Sequence, residues 1–198
     1  MIYDISQPLF ECEVFPGDPK PEKTELMKMN KGDLYNLTAI SMCVHNGTHI
    51  DAPYHFIKEG KGVDQICLSR FIGPAYVETH NGEVTGADAE QILEHARKVH
   101  SQAWKKILIK GKATVTLEAA VVFATAGIDL IGNESQTIGP EDAPMAVHLA
   151  LLQKEVVLLE GIRLTQVPDG VYLLNCAPLN LTGTEGSPCR AVLMDFNE

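Results

Sequence analysis

"HNGTHIDAPYHF", residues 45–56, sets three histidines and an aspartate among twelve positions, with Gly47 and Pro53 between them. A metal site, a base with its helpers and an accident of composition are the competing readings. Val44, Thr48 and Ile50 are β-branched, and Gly47 and Pro53 would damage a helix interior, so the stretch predicts extended chain over 45–55. In a strand His45, Gly47, His49 and Asp51 share one face. A straight strand would separate the Cα atoms of residues 45 and 49 by about 13 Å, too far for two imidazoles converging on one ion. The chain must bend between them, and Gly47 is where it can.

Two imidazoles and a carboxylate suit Zn²⁺, Mn²⁺ or Fe²⁺ and leave coordination positions open, as a catalytic rather than a structural site does. His55, just past Pro53, then falls where an acid or base beside the metal is needed. The competing reading is that a histidine in an apolar strand is a satisfied core residue. It applies with more force to His80, His95, His100 and His148, and His95 and His100 fall on an amphipathic helix.

Working outward, short β-branched runs recur at 1–6, 36–45, 75–80, 106–111, 129–132, 155–161, 170–176 and 189–196, punctuated by Gly, Pro and Asn. "WKKILIKGK" (104–112) alternates lysine with apolar residues and predicts a strand with one solvated face. Helical patterns fall at 85–100, behind a Thr or Asp cap, at 116–127, ending on Gly127, and at 141–154, with acids in its first turn. No linker or repeat interrupts the 198 residues, which predicts one strand-rich α/β domain over 1–198.

Net charge −10 argues against nucleic acid as a partner. No run approaches the roughly 18 apolar residues of a membrane span. The N-terminus lacks a signal-peptide pattern, so the cytoplasm is expected. Five scattered cysteines, with no C-x-x-C pair, argue against a disulfide framework and a thiolate zinc site; Cys43, close to His45, is a candidate to line a pocket.

The string H-x-G-T-H-x-D-x-P-x-H, read as His45, Gly47, Thr48, His49, Asp51, Pro53 and His55, resembles the signature of the metal-dependent cyclase-like hydrolases. That family includes bacterial kynurenine formamidase (arylformamidase) and isatin hydrolase. "YDISQPL" (3–9), "FPGDP" (15–19), "GIDLIG" (127–132) and "APLNLTGTEGSPCRAVL" (177–193) extend the resemblance along the chain. It implies a mixed α/β fold of the swivelling β/β/α type, with a curved central β-structure flanked by helices. It implies that His45, His49 and Asp51 bind one metal. Asp51 would bridge to a second, held by His148 and by Glu160 twelve residues further on. On their own residues neither of these two stands out: His148 reads as core and Glu160 as a strand end. The implied catalytic residue is His55, the cofactor one or two divalent ions (Zn or Mn foremost), and the assembly a homodimer or larger homo-oligomer.

The implied reaction is metal-assisted hydrolysis of a small amide. N-formylkynurenine is the first substrate to consider and a lactam such as isatin, or another cyclic amide or ester, the second. A metal-binding module without chemistry is a third reading, against which the intact His55 argues. "GTEGS" (183–187) is not a G-x-S-x-G elbow. Phe15, Tyr54, Phe56 and Trp104 are candidates to stack on an aromatic substrate. One departure from the kynurenine formamidases is Ser135-Gln136-Thr137, where they commonly carry Ser-x-Asp, which leaves the acid to Glu134, Glu141 or Asp142, or to no residue at all.

Overall fold

The apolar runs become strands and the capped patterns become helices in this computed structural model, which describes residues 1–195. The first half of the chain gives β1 (Ile2–Asp4), β2 (Glu22–Met27), β3 (Leu37–Ser41), β4 (His49–Asp51), β5 (Ile72–Thr79) and β6 (Gly82–Val84). Helices then alternate with strands: α1 (Gly86–Val99), β7 (Lys106–Lys110), β8 (Ala113–Val115), α2 (Leu117–Ala126), β9 (Leu130–Asn133), α3 (Met145–Leu152) and β10 (Val157–Glu160). Three strands close the described chain: β11 (Gly170–Asn175), β12 (Gly186–Pro188) and β13 (Val192–Asp195).

Nine strands form one mixed sheet in the order β1-β13-β11-β5-β7-β9-β10-β4-β12. Its centre, β5-β7-β9-β10, is parallel. Each step between these four strands crosses over through a helix. Because such crossovers keep one hand and the strands are laid down in one direction, all three helices land on the same face. There Ile107, Ile109, Ile131 and Leu158 pack against Ile92 and Leu93 of α1, Phe123 of α2 and Leu151 of α3. The other face curls on itself. Ile50 of β4 and Leu193 of β13, far apart in strand order, share a second core with Leu108, Leu130 and Leu159. The fold is therefore a mixed α/β one with a curved central sheet flanked by helices, as the resemblance implies.

Helix ends follow their sequence signals. Thr85 caps α1 through the Asp88 N–H, Thr116 caps α2 through the Ala119 N–H, and Gly127 closes α2 in a left-handed conformation at φ 76°. Three expectations change. β7 has no solvated face: helices cover one side and the second core the other, so Lys106 is buried with its Nζ 3.6 Å from Asp129 Oδ2. The third helix begins at Met145, because Pro144 sits at its N-cap and residues 141–143 stay in a turn. The strand expected over 36–45 ends at Ser41, and residues 44–48 form a turn. Of the run 189–196, Val192–Asp195 is strand, and Phe196 lies outside the described residues. Among the described residues no helix is long and apolar enough to cross a membrane.

Candidate metal centre

The signature stretch is extended only at β4; Pro53–His55 is a single 3₁₀ turn with Pro53 opening it. The bend expected at Gly47 is present, at φ 68°. It folds the 45–48 turn back, so that His45 Nδ1 lies 2.8 Å from Asp51 Oδ1. β4 runs antiparallel to β10 with His49 opposite Glu160 and Asp51 opposite Leu158. Pleat alternation then places His49, Asp51 and Glu160 on the helix-covered face. α3 brings His148 to the same point.

The result is a buried cluster in which Asp51 and Glu160 each present two oxygens to flanking imidazoles. His49 Nε2 stands 3.4 Å from Asp51 Oδ1 and 3.4 Å from Glu160 Oε2. His148 Nε2 stands 3.5 Å from Asp51 Oδ2 and 3.3 Å from Glu160 Oε1. Two groups of three are spaced to hold an ion: His45, His49 and Asp51, and Asp51, His148 and Glu160. Donors about 2.1 Å from a tetrahedral ion stand roughly 3.4 Å apart, so these separations are those of a ligand shell. The backbone orients the rings: His49 Nδ1 donates to Gly47 O at 2.9 Å and His148 Nδ1 to Pro144 O at 2.9 Å, which leaves both Nε2 atoms for the cluster. Ile138 N–H donates to Glu160 Oε1 at 2.6 Å and holds the carboxylate in place.

Charge explains why this arrangement fits a cation. Burial alone would keep the His49 and His148 imidazoles neutral, but Asp51 and Glu160 outweigh it and raise both to about 10. Burial likewise works to raise Asp51, yet hydrogen bonds with His148, His45 and His49 hold its carboxyl well below the usual range. Protons on the imidazoles thus balance two buried carboxylates, and a divalent ion meets the same demand with neutral imidazoles as donors.

His55 sits beside the cluster, its Nε2 3.8 Å from Asp51 Oδ2 and its ring 4.2 Å from that of His45. Burial pushes its pKa below the usual 6.5, against the pull of Asp51. A cavity of about 240 Å³ opens over these groups, walled by Phe15, Phe56, Asp18, Gln136, Thr137 and Pro144.

The Cyclase family profile matches residues 3–140. The chain belongs to the cyclase family. Its cyclase-type sequence is 32% identical over 210 residues to the kynurenine formamidase of Salinibacter ruber, covering 98% of this chain and 97% of that one. A solved structure described as a potential metal-dependent hydrolase with cyclase activity superposes on this cyclase-family chain with a TM-score of 0.82 at 26% identity. That match covers 100% of this chain and 99% of the other. Isatin hydrolase A of Labrenzia aggregata shares the fold, with a TM-score of 0.81 at 22% identity over 100% and 94% of the two chains.

In this cyclase-family chain, His45, His49, Asp51, His148, Glu160 and His55 lie together in one cluster. Phe15 and Phe56 line the cavity, whereas Tyr54 faces outward and is exposed, because the 3₁₀ turn points successive side chains in different directions. Trp104 lies elsewhere, against Arg97 and Lys105. Cys43 is not among the lining residues; its Sγ lies 3.9 Å from Asp18 Oδ2. None of the three candidate replacement acids enters the cavity. Glu134 is turned away to accept the N–H groups of Gly111 and Leu164, Glu141 lines a neighbouring cleft, and Asp142 lines neither. Two neighbours of the site were not singled out from sequence. Asp18 carried its signal in "FPGDP". Glu185, whose Oε1 is 3.6 Å from His45 Nε2, sits in "GTEGSPCR", a stretch that carries the family resemblance without marking this residue.

Proposed function

We propose that this chain is a metal-dependent amide hydrolase of the arylformamidase type, converting N-formylkynurenine to kynurenine and formate. The observation that carries this reading is the pair of overlapping ligand triads sharing Asp51, with His55 beside them under an open aromatic-walled cavity. His45, His49 and Asp51 would hold one divalent ion, and Asp51, His148 and Glu160 a second, Zn²⁺ or Mn²⁺ by donor type. When bound, such an ion supplies Lewis acidity, making a water more acidic and polarising the scissile carbonyl.

The chain's own groups do the rest. Phe15 and Phe56 bracket a flat aryl group and exclude water around it. His55, neutral at working pH because its pKa is depressed, takes the proton of the attacking water. It then returns that proton to the leaving nitrogen as the C–N bond breaks, so that formate and a free amine depart. The Gln136–Thr137 stretch of the cavity wall carries no carboxylate, which favours a second substrate class, neutral lactams of the isatin kind, hydrolysed by the same groups.

We further propose that residues 1–198 act as one cytoplasmic domain in a homodimer or larger homo-oligomer. The single nine-strand sheet supports the first point and the free cysteines the second. The exposed hairpin β2–β3 supports the third.

The test is hydrolysis of N-formyl-L-kynurenine by protein stripped of metal and reloaded with Zn²⁺ or Mn²⁺ in turn. Metal-dependent release of kynurenine is expected. No turnover of this compound with metal demonstrably bound, alongside turnover of isatin, would replace the first substrate with the second.

A further inference from the structure

Metal-ligating imidazoles generally donate their second ring N–H to an acceptor, which fixes the tautomer and strengthens the ligand. His49 and His148 have such acceptors in the carbonyls of Gly47 and Pro144. His45 is turned the other way. Its Nδ1 meets Asp51, and its Nε2 is buried without a hydrogen-bond partner among the described residues. The atom facing that orphaned nitrogen is Glu185 Oε1, 3.6 Å away.

The edge strand is shaped for this ring. Ala52 N–H donates to Glu185 O at 2.8 Å, and Gly186 pairs with Asp51, so the start of β12 is locked to the end of β4. A Cβ on Gly186 would lie 2.8 Å from His45 Cε1, so only glycine lets the ring lie against the strand. Gly186 thus gives the imidazole its seat, and Glu185 stands at its outer nitrogen.

We infer that Glu185 is a positioning residue: it accepts the Nε2–H of His45, directs Nδ1 at the metal centre, and strengthens that donor. The inference rests on the proposed role of His45 as a ligand. Because the His45 ring stacks on His55, the same contact sets the wall against which the base lies. A rotamer adjustment of well under 1 Å at this partly exposed side chain closes the bond to hydrogen-bonding distance.

Mn²⁺ and Zn²⁺ affinities, measured by chelator competition for the wild type, Glu185→Gln, Glu185→Ala and His45→Ala, test it. Expected is a loss of about 10- to 100-fold in Glu185→Ala. Glu185→Gln, whose amide oxygen still accepts, should lose less. Long-range ¹H–¹⁵N spectra of the Zn²⁺-loaded wild type should place the His45 proton on Nε2. Unchanged affinity in Glu185→Ala while His45→Ala loses it would overturn the role of Glu185 and leave the ligand assignment standing. A His45 proton on Nδ1 would do the same. Affinity indifferent to His45→Ala would overturn the ligand assignment, and the role of Glu185 with it.

Discussion

His55 differs from the other histidines of the site in what surrounds it. His49 and His148 each face two carboxylates and hold protons up to about pH 10 without an ion. His55 lies near one carboxylate of the cluster, that of Asp51, and against the His45 ring, and burial dominates its titration, pushing the pKa down. A depressed pKa leaves the neutral, proton-accepting ring populated at pH 6.5 and loses it only as pH falls further. The acid limb of kcat/KM should therefore fall below pH 6.5; a limb above that value would show that another group is the base. His55→Ala should lower kcat by about 10²- to 10⁴-fold with metal content unchanged, checked by turnover together with elemental analysis. Loss of the metal in that variant would move His55 into the ligand set. At this scale the sequence was legible wherever donors are close along the chain, as His45, His49, Asp51 and His55 are. His148 and Glu160 read as core and strand end because they are both of those things. Both are buried, and only tertiary structure turns them toward Asp51, Glu160 through the pairing of β10 with β4 and His148 through the packing of α3.

That pairing belongs to the elements, and it depends on a tight junction where β10 ends. Gly161 follows Glu160 at φ 67° and its carbonyl accepts from Gln7 Nε2 at 2.8 Å and Thr48 Oγ1 at 2.7 Å. Its N–H donates to Ser135 O at 2.7 Å. Three segments that frame the site thus meet on one residue. A Cβ there would stand 2.5 Å from Gly47 O and 2.6 Å from Gln7 Nε2, and would collide with Gln136 as well. Gly161→Ala should lose at least about 1–3 kcal/mol from the strained φ alone, with weaker metal loading because Glu160 shifts. Urea unfolding followed by metal titration measures both, and wild-type stability would show that the junction yields easily. Helices α1 and α2 were legible to within about a residue because their caps are local chemistry. β7 was misjudged because alternation along one strand cannot reveal that helices and a second core enclose it.

The whole molecule leaves one feature uncovered. β2 and β3 pair only with each other, and their residues are exposed on both faces, Leu26, Leu37 and Ile40 among them, with Leu34 and Tyr35 at the tip. A two-stranded hairpin is marginal alone in water, and contiguous exposed apolar surface marks an interaction site. The arm's charges differ from those of the rest. Lys20, Lys23, Lys28 and Lys31 stand against Glu22, Glu25 and Asp33, in a chain whose net charge is −10. A near-neutral, apolar arm meets little charge repulsion from the acidic body of a second copy. Beside the arm's root lies a groove of about 480 Å³ lined by Leu9, Ile40, Met42 and Leu179, able to receive apolar side chains. The arm also leaves the body between Asp18 and His45, so a partner held by it stands next to the cavity entrance. Light scattering on the eluting protein should give a mass of at least two chains for the wild type. In Leu26→Asp/Ile40→Asp that mass should fall to one chain, with the circular dichroism of the folded protein retained. A wild type that elutes as one chain at micromolar concentration, or an assembly indifferent to both aspartates, would refute the arm as the interface.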